Sequence, residues 1–434
     1  MRDRFAAAVL GGGGLDKLIV GGGSRLEGVV TAGGSKNAAL ALMAGAVLAD
    51  GVVTLHNVPR IGDIKTMVEL LNGLGAVTRW TDDHTVTIDA SEIHNLEAPY
   101  ELVRKMRASF CVLGPLLARF GFARVPVPGG CDIGARPVNF HVEGLRKLGA
   151  DLHVEHGIYS AECEKLIGAP IYLDFPSAGA TQHLMTAAVL ARGVTVIENC
   201  ATEPEVAALA AFLISLGAKV EGAGTTTLTI EGVERLGGGE CEVIPDRLEA
   251  GTMAIGAAIT NGDVLIERAR PDQMRATITK LREAGVDVAV DGTSIRVSSK
   301  GRPKAIEIKT NPHPGFPTDM QQLFAALLCT ADGTSVITEN IYESRFRYVN
   351  ELNRMGGDIR VGGRSAVITG VPMLTSAPVT ATDLRAGAAL ICAALAADGE
   401  TELSGLEHID RGYEDIVGKF TGLGARIRRE PEPD

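Results

Sequence analysis

The sequence predicts an α/β fold of six βαβαββ units of about 70 residues, three to a lobe. Two glycine series running in step, and two kinds of helix between them, carry that expectation. In the first series a helical pattern stops at a Leu-Gly-Ala-like triplet and an alternating strand follows. The triplets are Leu74-Gly75-Ala76, Leu148-Gly149-Ala150, Leu216-Gly217-Ala218, Ala284-Gly285-Val286, Met355-Gly356-Gly357 and Leu423-Gly424-Ala425. Their glycines stand 74, 68, 68, 71 and 68 residues apart. Glycine just past a helix end supplies a left-handed cap, so each triplet marks the same event. In the second series Gly51, Gly121, Gly193, Gly262, Gly333 and Gly399 each close an Ala/Leu-rich helix and precede a strand.

The elements follow from these marks. The first helix of each unit is small and apolar all round, as in residues 38–48 and 386–397, and such a helix is buried. It is expected to run to the second glycine series, over 40–51, 185–193 or 386–399. The second helices, such as 63–74 and 273–284, are amphipathic. A hairpin closes the unit, as in 290–297. Six units exceed one comfortable core, hence two lobes. No linker-like break separates them, so the boundary is expected to be a short crossing.

Composition narrows the function. Hydrophobic residues make up 45% and charged residues 22% of 434, enough for a large core and against global disorder. No apolar run reaches the length of a membrane helix, so a membrane partner is not expected. Lys+Arg 42 against Asp+Glu 53 gives a net charge of −11, which argues against general nucleic-acid binding. A few arginines in a cleft can still hold a small anion. The seven cysteines form no CxxC pair, and their odd number fits neither a disulfide framework nor a zinc ribbon. Reduced thiols in the cytoplasm fit. Residues 1–14 hold too short an apolar stretch for a signal peptide and are expected to form a flexible extension.

The starts of the buried helices carry the candidate chemistry: Lys36 and Asn37; Arg107; Ser177 and Thr181; Glu249 and Thr252; Asp319; Asp383 and Arg385. Helix N-termini present free N–H groups and the positive end of the dipole. Ser177, Thr252 and Asp383 also suit ordinary capping. Lys36 and Arg107 oppose the dipole, and a bound anion would reconcile them. Six equivalent starts point to one cleft shared by the lobes. Residues 126–137 replace a short strand-to-helix link with three prolines and three glycines, so they read as a lid. Cys131 sits in its middle near Arg136, which favours a reactive thiol; a small residue in a turn is the other reading. The other six cysteines read as core thiols.

Weaker signals lead nowhere. Gly33-Gly34-Ser35-Lys36 lacks P-loop spacing, and no GxGxxG opens a unit. His153 and His156 beside Cys163 make a poor zinc set. The run 426–429, followed by Glu430-Pro431-Glu432, reads as a solvated end.

Three stretches besides the helix starts carry a resemblance. They are Gly129-Gly130-Cys131-Asp132-Ile133-Gly134-Ala135-Arg136-Pro137, Phe316-Pro317-Thr318-Asp319-Met320-Gln321 and His408-Ile409-Asp410-Arg411-Gly412-Tyr413-Glu414. With Gly34-Ser35-Lys36-Asn37, Met106-Arg107-Ala108-Ser109 and Thr382-Asp383-Leu384-Arg385, the chain resembles the enolpyruvyl transferases from about residue 15 onward. Within them it is most similar to the branch acting on UDP-N-acetylglucosamine, since the sister shikimate enzyme lacks the cysteine lid.

The resemblance implies a two-lobed inside-out α/β barrel. Lobe one would comprise 15–35 plus 244–434, and lobe two 36–243, with a return crossing near Val243. It implies transfer of the enolpyruvyl group of phosphoenolpyruvate to the sugar 3-hydroxyl, with phosphate released and no metal or organic cofactor. Lys36 and Asn37 would bind phosphoenolpyruvate, Arg136 and Arg411 its phosphate, Arg385 its carboxylate. Cys131 would protonate the methylene carbon and be the target of the phosphonate epoxide fosfomycin. Asp319 would take the hydroxyl proton, and Asp383 would help handle the proton near the new methyl. The nucleotide sugar would meet Arg107, Arg136, Pro137, Val138, Asn139, Phe140, Ser177, Asp319 and Ile341. Asn139 stands where the family usually carries Asp. Two alternatives stay open: another uridine nucleotide as acceptor, which only Asn139 supports, or a non-catalytic paralogue that only binds the UDP-sugar. The oligomeric state is left open.

Overall fold

A computed structural model describes residues 16–129 and 138–431. The expected extension, and residues 130–137 of the expected lid, lie outside the described residues.

The fold is mixed α/β. Among the described residues the strands form six sheets, and five of them share one four-strand order. An edge strand runs parallel to its neighbour, and two antiparallel strands complete the sheet. In the remaining sheet, Phe122–Pro126, Ile158–Glu162 and Asp151–Glu155, the edge strand shrinks to a parallel bridge between Glu97 and Arg124. The expected hairpin appears as Asp287–Asp291 and Ser294–Ser298.

Three sheets borrow a strand from far along the chain. Glu27–Thr31 pairs in parallel with Asp263–Glu267, whereas Leu236–Glu242 pairs in parallel with Ala49–His56. Asp16–Gly21 lies between Glu400–Ser404 and Arg426–Pro431. The basic run 426–429 is therefore a sheet strand, not a loose end. Arg428 pairs with Glu400 and Glu430, and Arg429 with Asp16 and Asp410.

The apolar helices are α1 (Lys36–Gly45), α2 (Leu113–Phe120), α3 (Ala178–Ala188), α4 (Arg247–Ile259), α5 (Gln321–Leu328) and α6 (Leu384–Ala396). Helices α4, α5 and α6 pack against one another in all three pairings. Small residues permit that approach: a Cβ added at Gly251 would stand 2.7 Å from the Met320 sulfur. Buried apolar side chains form two groups. One is drawn from residues 38–243, the other from 18–32 and 248–427.

The first glycine series is left-handed throughout, with φ of 103°, 92°, 107°, 84°, 84° and 96°. The second needs correction: only Gly121 caps its helix, while α3 and α5 stop at Ala188 and Leu328, well short of Gly193 and Gly333, and α4 and α6 stop at Ile259 and Ala396, before Gly262 and Gly399. Helix α1 stops at Gly45, a 3-10 turn carries the chain to Leu48, and strand Ala49–His56 already contains Gly51. A Cβ at Gly51 would meet the Gly238 amide nitrogen at 3.0 Å, so this glycine serves a close strand approach and not a helix end.

The chain passes between the two groups twice, and the passages are stitched together. Ser35 N–H donates to Ile244 O and Asp246 N–H to Gly33 O, both at 2.8 Å. Gly34 bridges Pro245 there, and a Cβ on it would lie 1.8 Å from Asn57 O. The two passages thus run side by side, with few residues between the groups.

Candidate active site

A cleft of about 650 Å³ opens beside these passages, lined from both groups. Residues of five of the six helix starts reach it: Lys36 and Asn37 of α1, Arg107 in the turn before α2, Ser177 to Gly179 of α3, Asp319 in the turn before α5 and, at α4, Arg247 in place of the expected Glu249 and Thr252, which do not line it. The sixth start, with Asp383 and Arg385, lies one layer behind. Arg385 is buried and reaches Asp319 at 3.4 Å. Ser177 and Asp383 act as caps: Ser177 Oγ accepts from Ala180 N–H, and Asp383 Oδ1 from the Arg385 and Ala386 N–H groups. Thr252 does not cap. It sits inside α4, donates to Leu248 O and meets the Tyr413 hydroxyl at 2.7 Å. The α4 cap is Asp246, which accepts from Leu248 and Glu249 N–H.

Two carboxylates organise the cations. Asp63, almost fully buried in the first turn of helix Gly62–Leu74, receives Lys36 Nζ at 3.2 Å and Arg411 Nε at 2.8 Å. Its backbone N–H also donates to Arg411 O at 3.3 Å. Lys36 and Arg411 are thus held together on one carboxylate as a net positive edge of the cleft. Asp319 receives Arg345 at 2.7 Å and Arg385 at 3.4 Å. Burial works to raise its proton affinity, but Arg345 and Arg385, with Lys36 further off, outweigh it and hold the carboxyl well below the usual range. Asp319 is ionised and can accept a proton, but its two partners make it a weak base. Arg385 also donates to the Tyr413 hydroxyl at 2.8 Å.

The expected nucleotide residues Arg107, Val138, Phe140, Ser177 and Ile341 line the same cleft. Ile341 is set by Glu339, whose Oε1 accepts its N–H at 2.7 Å. Asn139 lines a neighbouring hollow of about 420 Å³ with Arg107 and Arg146. Cys131, Arg136 and Pro137 lie outside the described residues.

Known proteins match this chain almost end to end. Residues 20–420 match the family described as EPSP synthase (3-phosphoshikimate 1-carboxyvinyltransferase). The chain belongs to the EPSP synthase family of enolpyruvyl transferases. One relative, UDP-N-acetylglucosamine 1-carboxyvinyltransferase 2 of Carboxydothermus hydrogenoformans, is 52% identical over 96% of this chain and 99% of its own. Another, UDP-N-acetylglucosamine 1-carboxyvinyltransferase of Desulfatibacillum aliphaticivorans, is 54% identical over 96% of this chain and 100% of its own. The crystal structure of the enolpyruvyl transferase NikO from Streptomyces tendae superposes with a TM-score of 0.88 at 27% identity, covering 97% of this chain and 100% of that one.

Several residues of this enolpyruvyl transferase escape a reading by helix starts. Asp63 opens an amphipathic helix, and Arg345 lies in the turn before helix Val349–Arg354. Glu205 pairs with Arg247 at 3.1 Å across the two groups. Charge in the first turn of the second helices was the signal for Asp63; nothing local marks Arg345. The cysteines also need correction. Cys200, Cys329 and Cys392 are buried, but Cys111, Cys163 and Cys241 are only half-buried. Cys111 lines the cleft, and burial pushes its thiol up to about 11, which keeps it protonated and unreactive. The six described cysteines are all free.

Proposed function

We propose that this chain transfers the enolpyruvyl group of phosphoenolpyruvate to the 3-hydroxyl of UDP-N-acetylglucosamine, releasing phosphate, as the first committed step of peptidoglycan precursor synthesis. The observation that carries the reading is identity of 52% and 54%, nearly end to end, to proteins named for that reaction. It favours UDP-N-acetylglucosamine over another uridine nucleotide. A paralogue that only binds the UDP-sugar is disfavoured because Asp319, Lys36 and Arg411 are all retained in the cleft.

The chemistry requires an acid and a base on opposite sides of one small molecule, and cations around its charge. Asp319 takes the proton as the sugar oxygen bonds to C2. C3 gains a proton from Cys131. The ketal then returns a C3 proton to the Cys131 thiolate, with Asp383 assisting, as the C2–O bond to phosphate breaks and phosphate leaves with the proton that Asp319 had taken. Lys36, Asn37, Arg136 and Arg411 hold the phosphate end, and Arg385 the carboxylate. Arg107, Arg136, Pro137, Val138, Asn139, Phe140, Ser177, Asp319 and Ile341 hold the nucleotide sugar. The Arg385–Asp319 pair adds a coupling: a substrate carboxylate that draws Arg385 away raises the proton affinity of the base when it is needed.

In this reading the molecule is a two-lobed inside-out α/β barrel of six βαβαββ repeats, three per lobe. Lobe one is 15–35 plus 244–434 and lobe two is 36–243. The two buried groups and the doubled crossing support the division. Both substrates are phosphorylated metabolites made inside the cell, which puts the reaction in the cytoplasm. Among the described residues no helix is long and apolar enough to cross a membrane. Phosphate release, assayed with phosphoenolpyruvate and a panel of uridine nucleotides, tests the proposal. Fastest release with UDP-N-acetylglucosamine is expected; no release, or preference for another acceptor, overturns it.

A further inference from the structure

His141 and His183 form a buried couple beside the cleft, with their Nδ1 atoms 2.8 Å apart. Both line the cleft, and both are more than nine-tenths buried. The Phe110 ring stands edge-on to each, at interplanar angles of 76° and 71°, which fixes both ring planes. The proton positions follow from one backbone group. Gly114 N–H donates to His183 Nε2 at 2.7 Å, so that nitrogen is an acceptor. A neutral His183 ring then carries its proton on Nδ1 and gives it to His141 Nδ1. His141 Nδ1 is consumed as an acceptor, leaving Nε2–H as its only donor. A charge on either ring would leave donors facing donors. Burial, the other ring and Arg107 all press His141 toward the neutral form, and burial takes His183 down to about 3.

His141 Nε2 faces the first turn of α3. A Cβ built on Gly179 would stand 3.6 Å from it. Among the described residues, no hydrogen-bond partner is found for that N–H. Ser177 caps this 11-residue helix, and its first turn presents backbone donors to the cleft. A buried ring donor, helix N–H groups and Arg107 thus converge on one region.

We infer that His183 is a positioning residue that locks the proton of His141 on Nε2, making His141 an uncharged hydrogen-bond donor to the diphosphate of the bound UDP-sugar. The inference rests on the proposed function for the identity of the ligand. A neutral donor of fixed tautomer keeps its strength across the physiological pH range, which a charged imidazolium would not.

Ring nitrogen spectra of 15N-histidine-labelled wild-type protein test it directly, with one variant used only for assignment. His141, assigned by loss of its signal in His141→Phe, should show a protonated Nε2 and an acceptor Nδ1, and Nε2–H should shift when UDP-N-acetylglucosamine is added. His183→Leu should raise KM for the UDP-sugar about tenfold, roughly 1.4 kcal/mol, with kcat and KM for phosphoenolpyruvate within about twofold. His183→Asn keeps an N–H donor toward His141 and should restore most of the affinity. His141→Phe combined with His183→Leu should cost no more than His141→Phe alone. A protonated His141 Nδ1, additive losses, or equal losses for both substrates would overturn the inference. If wild-type protein fails to turn over UDP-N-acetylglucosamine, the function falls instead. The tautomer and the ligand-induced shift then still decide the role of His183.

Discussion

Asp63 and Asp319 hold two cations each, but they draw them from different places. Asp63 takes Lys36 from its own core group and Arg411 from the other. Asp319 takes Arg345 and Arg385, both from its own group. One cluster exists only when the two halves are correctly apposed; the other is complete within one half. The contrast separates assembly of the cleft from the chemistry inside it, and each part predicts a different loss.

The largest effect is expected at Asp319. Asp319→Asn should lower turnover by about 10²- to 10⁴-fold, the usual worth of a positioned base, while calorimetry finds the affinity for UDP-N-acetylglucosamine within about threefold. Equal losses of rate and affinity would erase the distinction. Next comes Asp63→Asn, which leaves Lys36 and Arg411 without their shared anion. KM for phosphoenolpyruvate should rise about 10- to 100-fold, close to 1.4–2.7 kcal/mol, with a much smaller change in kcat. If kcat collapses instead, Asp63 belongs with the chemistry.

Arg107→Ala is a smaller perturbation that touches neither carboxylate. It should weaken the nucleotide sugar about tenfold and leave KM for phosphoenolpyruvate unchanged, because it deletes a cation facing only one of the two anions.

The smallest expected effect separates the carboxylate pairs from the histidine couple by pH. Asp319 has a lowered pKa, so its contribution to stability is full above the ordinary carboxylate range and is lost as pH falls through and below it. The deficit in Tm of Asp319→Asn should therefore shrink only in strong acid. His183 titrates near 3 in the fold and near 6.5 when unfolded, so the unfolded chain binds the extra proton between those values. Stability should decline as pH falls from 6.5 toward 3. His183→Asn should flatten that decline; an unchanged slope would detach His183 from it.

Much of this was legible in residue order, because helix ends and buried faces leave local marks. Gly75 and its five counterparts stood where a left-handed residue had to be, and Lys36 and Arg107 stood out as cations at the wrong end of a helix. What stayed hidden was pairing. Asp63 meets Arg411 across 348 positions, and Gly114 tells nothing of His183 until α2 and α3 pack. Gly51 looked like a helix end because a glycine required by a facing strand looks the same in one dimension. Asp383 was correctly seen at a helix start, but only packing reveals that Arg385 beside it works from behind Asp319.

The exchange of strands sets an order of events on the ribosome. The sheet containing Ala49–His56 lacks its edge until Leu236–Glu242 has been made. Glu27–Thr31, although synthesised earlier, has no partner until Asp263–Glu267 emerges. Asp16–Gly21 waits longer still, until Glu400–Ser404 and Arg426–Pro431 have been made. A nascent chain therefore carries unpaired strand edges through most of its synthesis, the condition in which strands seek foreign partners. Strand Arg426–Pro431 closes the sheet that Asp16–Gly21 opens, so loss of either strand leaves the same seam unsealed.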